Sequence, residues 1–288
     1  MDIKFLEKLK KLAIIAMVSD DYLMEKLVLK GGNALDLIYN ISPRASVDLD
    51  FSMPDDFKEA ELESVKTRIE NLLHDTFAKE GFAVFDFKFS ERPEQQREEV
   101  ALIWGGYNIE FKIINSDEFN RAKDIDHLRR CAIEVEPDHG RKFEIDISKF
   151  EFCDNKKEKD IEGYTVYVYP LKMILFEKVR AICQQVPEYQ EVIKTSRKAR
   201  ARDFFDVYVI MENIYINLSD PENKDLLKTI FQVKKVPLRY LKLIRNDRDF
   251  HRQGFDSLRD TMKSGMELES FDLYFDYVVD KLEQIEFE

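Results

Sequence analysis

Cysteine is scarce and poorly placed for structural chemistry: Cys131, Cys153 and Cys183 are odd in number, widely spaced and form no CxxC pair. That excludes a disulfide framework and a thiolate zinc site, and fits a reducing cytoplasm. Histidine is equally thin, since His74, His127, His139 and His251 are scattered with no HxxxH-type metal spacing. Long apolar runs are missing as well. With 35% of residues charged and no stretch near the ~20 apolar residues that a bilayer span needs, a membrane-embedded chain is excluded and a soluble one expected. The opening "MDIKFLEKLKKLAIIAMVSDD" has acids at Asp2 and Glu7 and no small-residue cleavage site after its apolar run, so it reads as an amphipathic helix and not as an export signal. No internal repeat or low-complexity tract is visible.

What is present is a 288-residue chain with 44% hydrophobic residues, enough to fill two ordinary cores. Its net charge of −12 argues against a polyanionic partner, but the charge is uneven. Between Lys194 and Arg252 there are 14 Lys/Arg against 8 Asp/Glu, a local +6 that leaves −18 for the rest. Such a segment suits an anionic ligand, or is a solvated helical face.

Up to about residue 169 strand and helix patterns mix. "LVLK" is a short apolar strand; "SVDLDFS", "FAVFDFKF", "YNIEFKII" and "KFEIDIS" alternate on a two-residue period. "ALDLIYN" and "DFKEAELESVKTRIENLLHDTFAKEG" read as helices, the second stopped by Gly81. "IWGGYNI" reads as a hairpin turn and "CDNKKEKDIEG" as a charged loop before the strand "YTVYVY". From Pro170 on, the period is helical. The expectation is an α+β fold: residues 1–169 carry a mixed or antiparallel sheet flanked by helices, and residues 170–288 form a helical bundle.

Several residues carry chemistry. Gly31 and Gly32 stand between a strand and a helix, where backbone N–H groups can approach a phosphate. Asp48 and Asp50, two apart on a strand, point to one face while Val47, Leu49 and Phe51 point to the other. Two carboxylates held together call for a cation, and hard oxygen ligands suit Mg²⁺ bound jointly with substrate phosphates. In "KFEIDIS" a further acid is offered by Asp146, with Glu144 as the alternative. Lys178 falls in the apolar stripe of Leu171, Ile174, Leu175 and Ile182, opposite Glu177, Arg180 and Gln184, so it needs a partner, an anion or a route to water for its ammonium. Asp203 and Asp206, three apart in "RDFFDVY", share a helix face. They also suit an N-cap and a first-turn acid. Arg197, Lys198, Arg200 and Arg202 precede them as a possible grip on triphosphate or RNA, or as a solvated basic loop.

Taken in order, "KGGNALDLIYNISPRASVDLDF", "FEIDIS", "PLKMILFEKVRA" and "RARDFFDVY" resemble the AbiEii/AbiGii toxin family of the DNA polymerase β-like nucleotidyltransferase superfamily, over roughly residues 27 to 210. The resemblance implies that Gly31, Gly32 and Asn33 cradle nucleotide phosphates, that Asp48, Asp50 and Asp146 hold Mg²⁺, and that Arg44 and Ser46 support the loop before the metal strand. Arg44, Ser46 and Asp206 are thereby placed on the nucleotide side. Lys178 and Asp203 correspond to active-site residues that the helical domain presents to the cleft. Asn33 departs from the Ser or Thr usual after the glycines. The activity implied is transfer of NMP from an NTP to a hydroxyl acceptor, tRNA or other RNA, by a cytoplasmic toxin of a toxin–antitoxin or abortive-infection system with an antitoxin encoded nearby. Two alternatives compete: a metal-dependent nuclease built on Asp50, Glu110 and Lys112, and a non-catalytic nucleotide-binding module.

Overall fold

A computed structural model describes residues 3–46, 48–93, 104–135, 139–193 and 196–286. Val47 and Lys194 therefore lie outside the described residues. The chain divides into two compact units, Met1–Ile38 with Ser46–Val168 and Tyr39–Ala45 with Tyr169–Glu288. Hydrophobic periodicity gives no hint that Tyr39–Ala45 belongs with the C-terminal unit.

In the first unit α1 (Ile3–Val18) and α2 (Asp21–Lys26) lead into β1 (Val28–Lys30), then α3 (Gly31–Asn33), which continues as the π-helix Ala34–Ile38. After the excursion come β2 (Leu49–Ser52), α4 (Leu62–Lys79), β3 (Phe82–Arg92), β4 (Gly106–Asn115), α5 (Ser116–Arg121) and α6 (Ile125–Cys131). Strands β5 (Phe143–Ser148), β6 (Lys157–Ile161) and β7 (Tyr164–Val168) complete it. The seven strands form one mixed sheet in the order β3-β4-β5-β2-β1-β7-β6, with β2/β5 and β1/β7 parallel. The architecture is α+β.

Two-residue alternation gives this sheet an apolar face. Leu29, Leu49, Phe51, Ile109, Phe111, Ile145 and Ile147 are all buried. Helix α4 buries Val65, Ile69, Leu73 and Phe77, a four-residue spacing that puts them on one stripe, and Phe77 meets Phe111 of β4 edge-on at 5.9 Å. Each such side chain contributes about 2–3 kcal/mol of burial. The helix stops at Gly81, whose φ of +81° is the left-handed C-terminal conformation. α1 is less one-sided than its sequence suggests, because every residue from Leu12 to Val18 is buried.

Two readings change. The charged "KKEKDI" segment is a strand, β6, paired antiparallel with β7 through a two-residue turn at Glu162 and Gly163 (φ +52° and +88°). It has no alternation to detect, because Lys157 to Asp160 are all exposed on this sheet edge. Such charges keep a bare edge from pairing with other chains. Gly106 is the first residue of β4 and not a hairpin turn; a Cβ there would lie 2.0 Å from the Ile147 carbonyl oxygen, so only glycine lets β4 close on β5. The first residue of the expected turn, Ile103, lies outside the described residues.

The second unit is helical, with α7 (Leu171–Cys183), α8 (Ala201–Asn213), α9 (Pro221–Val233), the short α10 (Arg248–Arg252) and α11 (Phe255–Arg259), and α12 (Phe271–Glu283). α7 packs on α8 and α9, and α8 on α12. Because α7 is covered on two sides, the polar side expected for it is not solvated: Arg180 is buried and donates to the Ile230 carbonyl of α9 at 3.1 Å and to Glu177 at 3.1 Å. Pro170 sits at the N-cap of α7, one place before the first turn.

Phe204 stacks on Phe275 at 5.0 Å and meets His251 edge-on at 5.1 Å. The Nδ1 of that buried histidine accepts the Arg200 backbone N–H at 3.1 Å. Burial first, then the Arg197 and Arg200 cations, push His251 down to about 4 against the pull of Asp203. The native ring is thus neutral where the unfolded one, near 6.5, takes up a proton. Stability is whole above that pH and falls by about 3 kcal/mol as the pH drops towards 4. Urea midpoints measured between pH 7 and 4 should therefore fall more steeply for the wild type than for His251→Gln.

Candidate functional site

Strand register assembles the first part of the site. Lys30 lies opposite Asp50, Asp50 beside Asp146, Asp146 opposite Asn108 and Asn108 opposite Ser90, a single row across β1, β2, β5, β4 and β3. Cross-strand partners share a face, so this row projects away from the apolar face. The two acids of β5 differ in their neighbours. Asp146 is the neighbour of Asp50, whereas Glu144 lies opposite Glu110 and is engaged by Lys142 at 2.5 Å.

The turn that follows β1 is pressed against the same row. Gly31 has φ +71°, and a Cβ there would stand 2.5 Å from Asp50 Oδ2. Glycine is thus required twice, for the left-handed backbone and for the approach to the carboxylate. No side chain caps the start of α3, where Gly32 is buried. Asn33 is wholly buried, and its Nδ2 donates to the Asp48 carbonyl at 2.5 Å. The side-chain amide thereby holds the approach to β2. Ser46, on the same approach, receives Lys10 Nζ on its carbonyl oxygen. Lys10 is fully buried in α1, on the stripe of Leu6, Leu9, Ala13 and Met17.

Among the described residues no group of three His, Cys, Asp or Glu side chains is placed to hold a metal ion. Of the trio expected from the sequence, Asp50 and Asp146 are paired in register, and Asp48 is exposed one residue before the strand ladder begins at Leu49. The couple fits Mg²⁺, which takes one or two carboxylates from a protein and its remaining oxygens from phosphates and water.

The second unit has its own polar cluster. Arg44 Nε and Nη2 fork onto Asp206 at 2.7 and 2.5 Å, and Lys178 Nζ reaches Asp206 at 2.5 Å and Asp203 at 3.0 Å. Arg44 and Asp206 are both buried. Burial alone would raise the Asp206 carboxyl, but the Arg44 and Lys178 cations overcome it and hold the group at about 2. Burial opposes charge on Lys178 too, and Asp206 and Asp203 more than offset it, raising its pKa. The lysine on an apolar stripe thus has its partners, and the two aspartates do share a helix face.

The model of the family described as nucleotidyl transferase AbiEii toxin, type IV TA system, matches residues 14–277. The chain belongs to the AbiEii family. It is a nucleotidyltransferase of a toxin–antitoxin type, and membership implies a nucleotide substrate and a cognate antitoxin. A crystal structure of an H. pylori protein titled as a nucleotidyltransferase superposes with a TM-score of 0.50 at 17% identity, covering 100% of both chains. Another, JHP933 from Helicobacter pylori, gives 0.48 at 18% identity, covering 97% of this chain and 90% of that one. No curated protein matches. Among the described residues no helix is long and apolar enough to cross a membrane.

Within this AbiEii chain several expected roles change. Arg44 and Asp206, expected on the nucleotide side, form a buried ion pair inside the helical unit. Asp203 is not an N-cap, a place taken by Arg200. The basic segment is partly neutralised. Arg197 meets Asp247 at 2.6 Å, Arg200 lies 3.6 Å from Asp203 and Arg202 donates to the Ser257 carbonyl at 3.1 Å, leaving Lys198 exposed. Arg245, Arg248 and Arg252 pair with Asp272, Asp276, Asp280 and Glu283 of α12, acids that lie beyond the window in which the local excess was counted. Two residues of the nuclease alternative have partners of their own: Lys112 is bound by Asp86 at 2.9 Å, and Glu110 by Arg92 at 3.0 Å and Lys142 at 3.2 Å. Lys10 and Asn108 were missed. A lysine on an apolar helix stripe and an asparagine inside a β-forming run are the signals that mark them.

Proposed function

We propose that this AbiEii nucleotidyltransferase moves NMP from an NTP onto a hydroxyl of RNA, tRNA foremost, with Mg²⁺ as its cation. The observation that carries this reading is the register pairing of Asp50 with Asp146 beside the left-handed turn at Gly31. Asp50 and Asp146 would hold the cation, joined by Asp48 when the triphosphate is bound. The chemistry a divalent ion supplies there is neutralisation of the triphosphate and of the charge that builds up between attacking and leaving oxygens. The chain's own part is to orient. Gly31 and Gly32 bring backbone N–H groups to the phosphates, and Asp146 accepts the proton of the attacking hydroxyl as the new O–P bond forms and pyrophosphate leaves. Family membership supports a part for Lys178 and Asp203 in the same reaction.

The test is labelled transfer. Each of the four NTPs, labelled on the α-phosphate, is incubated with total cellular RNA or with protein, wild type beside Asp50→Asn. Label in RNA from wild type alone is the expected result; equal labelling by Asp50→Asn, or label in protein only, overturns the assignment. RNA cleavage without NTP would restore the nuclease.

A further inference from the structure

Three other acids of strands β3 to β5 are each matched by a cation. Asp86 is held by Lys112 at 2.9 Å and Arg129 at 2.7 Å, Glu110 by Arg92 and Lys142, and Glu144 by Lys142. Asp146 differs. Its Oδ1 accepts from Asn108 Nδ2 at 2.9 Å, and among the described residues no lysine, arginine or histidine pairs with it.

Asn108 is an unusual choice for its position. It is fully buried in the interior of β4, between Tyr107 and Ile109, where β-branched and aromatic residues are favoured. Its Oδ1 has no hydrogen-bond partner, so half of the amide is desolvated without return. Packing would be served better by an apolar residue. The half that is satisfied is the half that touches Asp146.

We propose that Asn108 is a positioning residue for the transfer reaction. It fixes the rotamer of Asp146 through one oxygen, leaves the other oxygen for the cation or the proton of the acceptor, and does so without a positive charge. A lysine or arginine in its place would orient the carboxylate equally well but would compete with a divalent cation for it. Partners of this kind are worth about 10- to 100-fold in metal affinity or activity. The inference rests on the functional reading above.

Three proteins decide it: wild type, Asp50→Asn and Asn108→Leu, with Asn108→Ser as the variant to use if the leucine protein does not fold. Mn²⁺ binding is followed by its electron paramagnetic resonance signal in the presence of a non-hydrolysable NTP analogue, and kcat and KM for NTP are measured separately. The expected result is Mn²⁺ affinity lowered about 10-fold or more in the Asn108 variant, kcat down by about 10- to 100-fold, and KM for NTP within about two-fold. Wild-type Mn²⁺ affinity and kcat in the Asn108 variant, with Asp50→Asn inactive, overturn the positioning role alone. If wild type binds no Mn²⁺, or Asp50→Asn transfers normally, the functional reading falls and this one with it.

Discussion

Asp206→Asn should cost about 3–5 kcal/mol of folding stability, the range for breaking a buried ion pair from one side. The reason is what remains. With the carboxylate gone, Arg44 and Lys178 would lose the acid they share and stand in a buried site around a neutral amide, while Asp203 stays 3.0 Å from Lys178. Against the 5–15 kcal/mol of a typical domain this is close to unfolding. Arg44→Met should cost less, since Asp206 keeps Lys178 at 2.5 Å. The double variant Arg44→Met/Asp206→Asn should recover part of the loss, because it removes the second uncompensated cation, giving a coupling in the range of 0.5–3 kcal/mol. Urea midpoints for the three proteins provide the measurement. The wild-type cluster should itself fail in acid. A carboxyl held at about 2 against an ordinary 3.8 contributes stability that is whole above pH 3.8 and is lost as pH falls through 2, about 2 kcal/mol in all. An Asp206→Asn midpoint equal to wild type would mean that the cluster is solvated and contributes little.

The second large effect concerns the glycine turn. Asp50→Asn should reduce transfer by roughly 10³-fold or more while leaving the urea midpoint within about 1 kcal/mol, since several kcal/mol of charge stabilisation are removed and each 1.4 kcal/mol is a factor of ten. Gly31→Ala should approach that loss by another route. Its methyl group would arrive 2.5 Å from Asp50 Oδ2, so the carboxylate must swing away. A displacement of about an ångström at a reacting centre costs roughly 10²-fold. The left-handed backbone adds a strain of about 1–2 kcal/mol to folding. Gly81→Ala is the matched control: φ is +81° there too, but nothing lies within 4 Å of the added Cβ. That variant should be destabilised to a similar extent and transfer normally. Equal transfer by both alanine variants would show that Gly31 serves the backbone only.

These effects differ in how far they can be read from the chain. The strands were legible because their two faces differ, and the same alternation placed Asp48, Asp50, Asp146 and Glu144 on polar faces. It could not say which of Asp146 and Glu144, which share a parity, lies beside Asp50; that depends on the hydrogen-bonded register of β2 with β5, and register joins segments nearly a hundred residues apart. β6 escaped for the opposite reason. Lys157 to Asp160 are exposed on both faces, so no period marks it. In the helical unit, the need of Lys178 for a partner and the shared face of Asp203 and Asp206 were both visible separately. Their meeting, and the arrival of Arg44 from the other half of the sequence, depend on packing. Counting charge along the chain misled for the same reason, since the acids of α12 that neutralise Arg245, Arg248 and Arg252 are neighbours in space and not in order.

The excursion of Tyr39–Ala45 into the helical unit has a consequence for dissecting the protein. The connection is not a single linker that can be cut: the chain passes from one unit to the other at Ile38, at Ala45 and at Val168. A C-terminal fragment starting at residue 169 would omit Arg44, the strongest counter-charge of Asp206, and with it the backbone pairing of Arg44 with Met262 and of Ala45 with Thr261. Truncation, domain exchange or expression of the bundle by itself would therefore begin from a core with a missing piece. The helical half is a module in shape but not in inheritance, and a recombination event would have to carry seven residues of the other half to keep it whole.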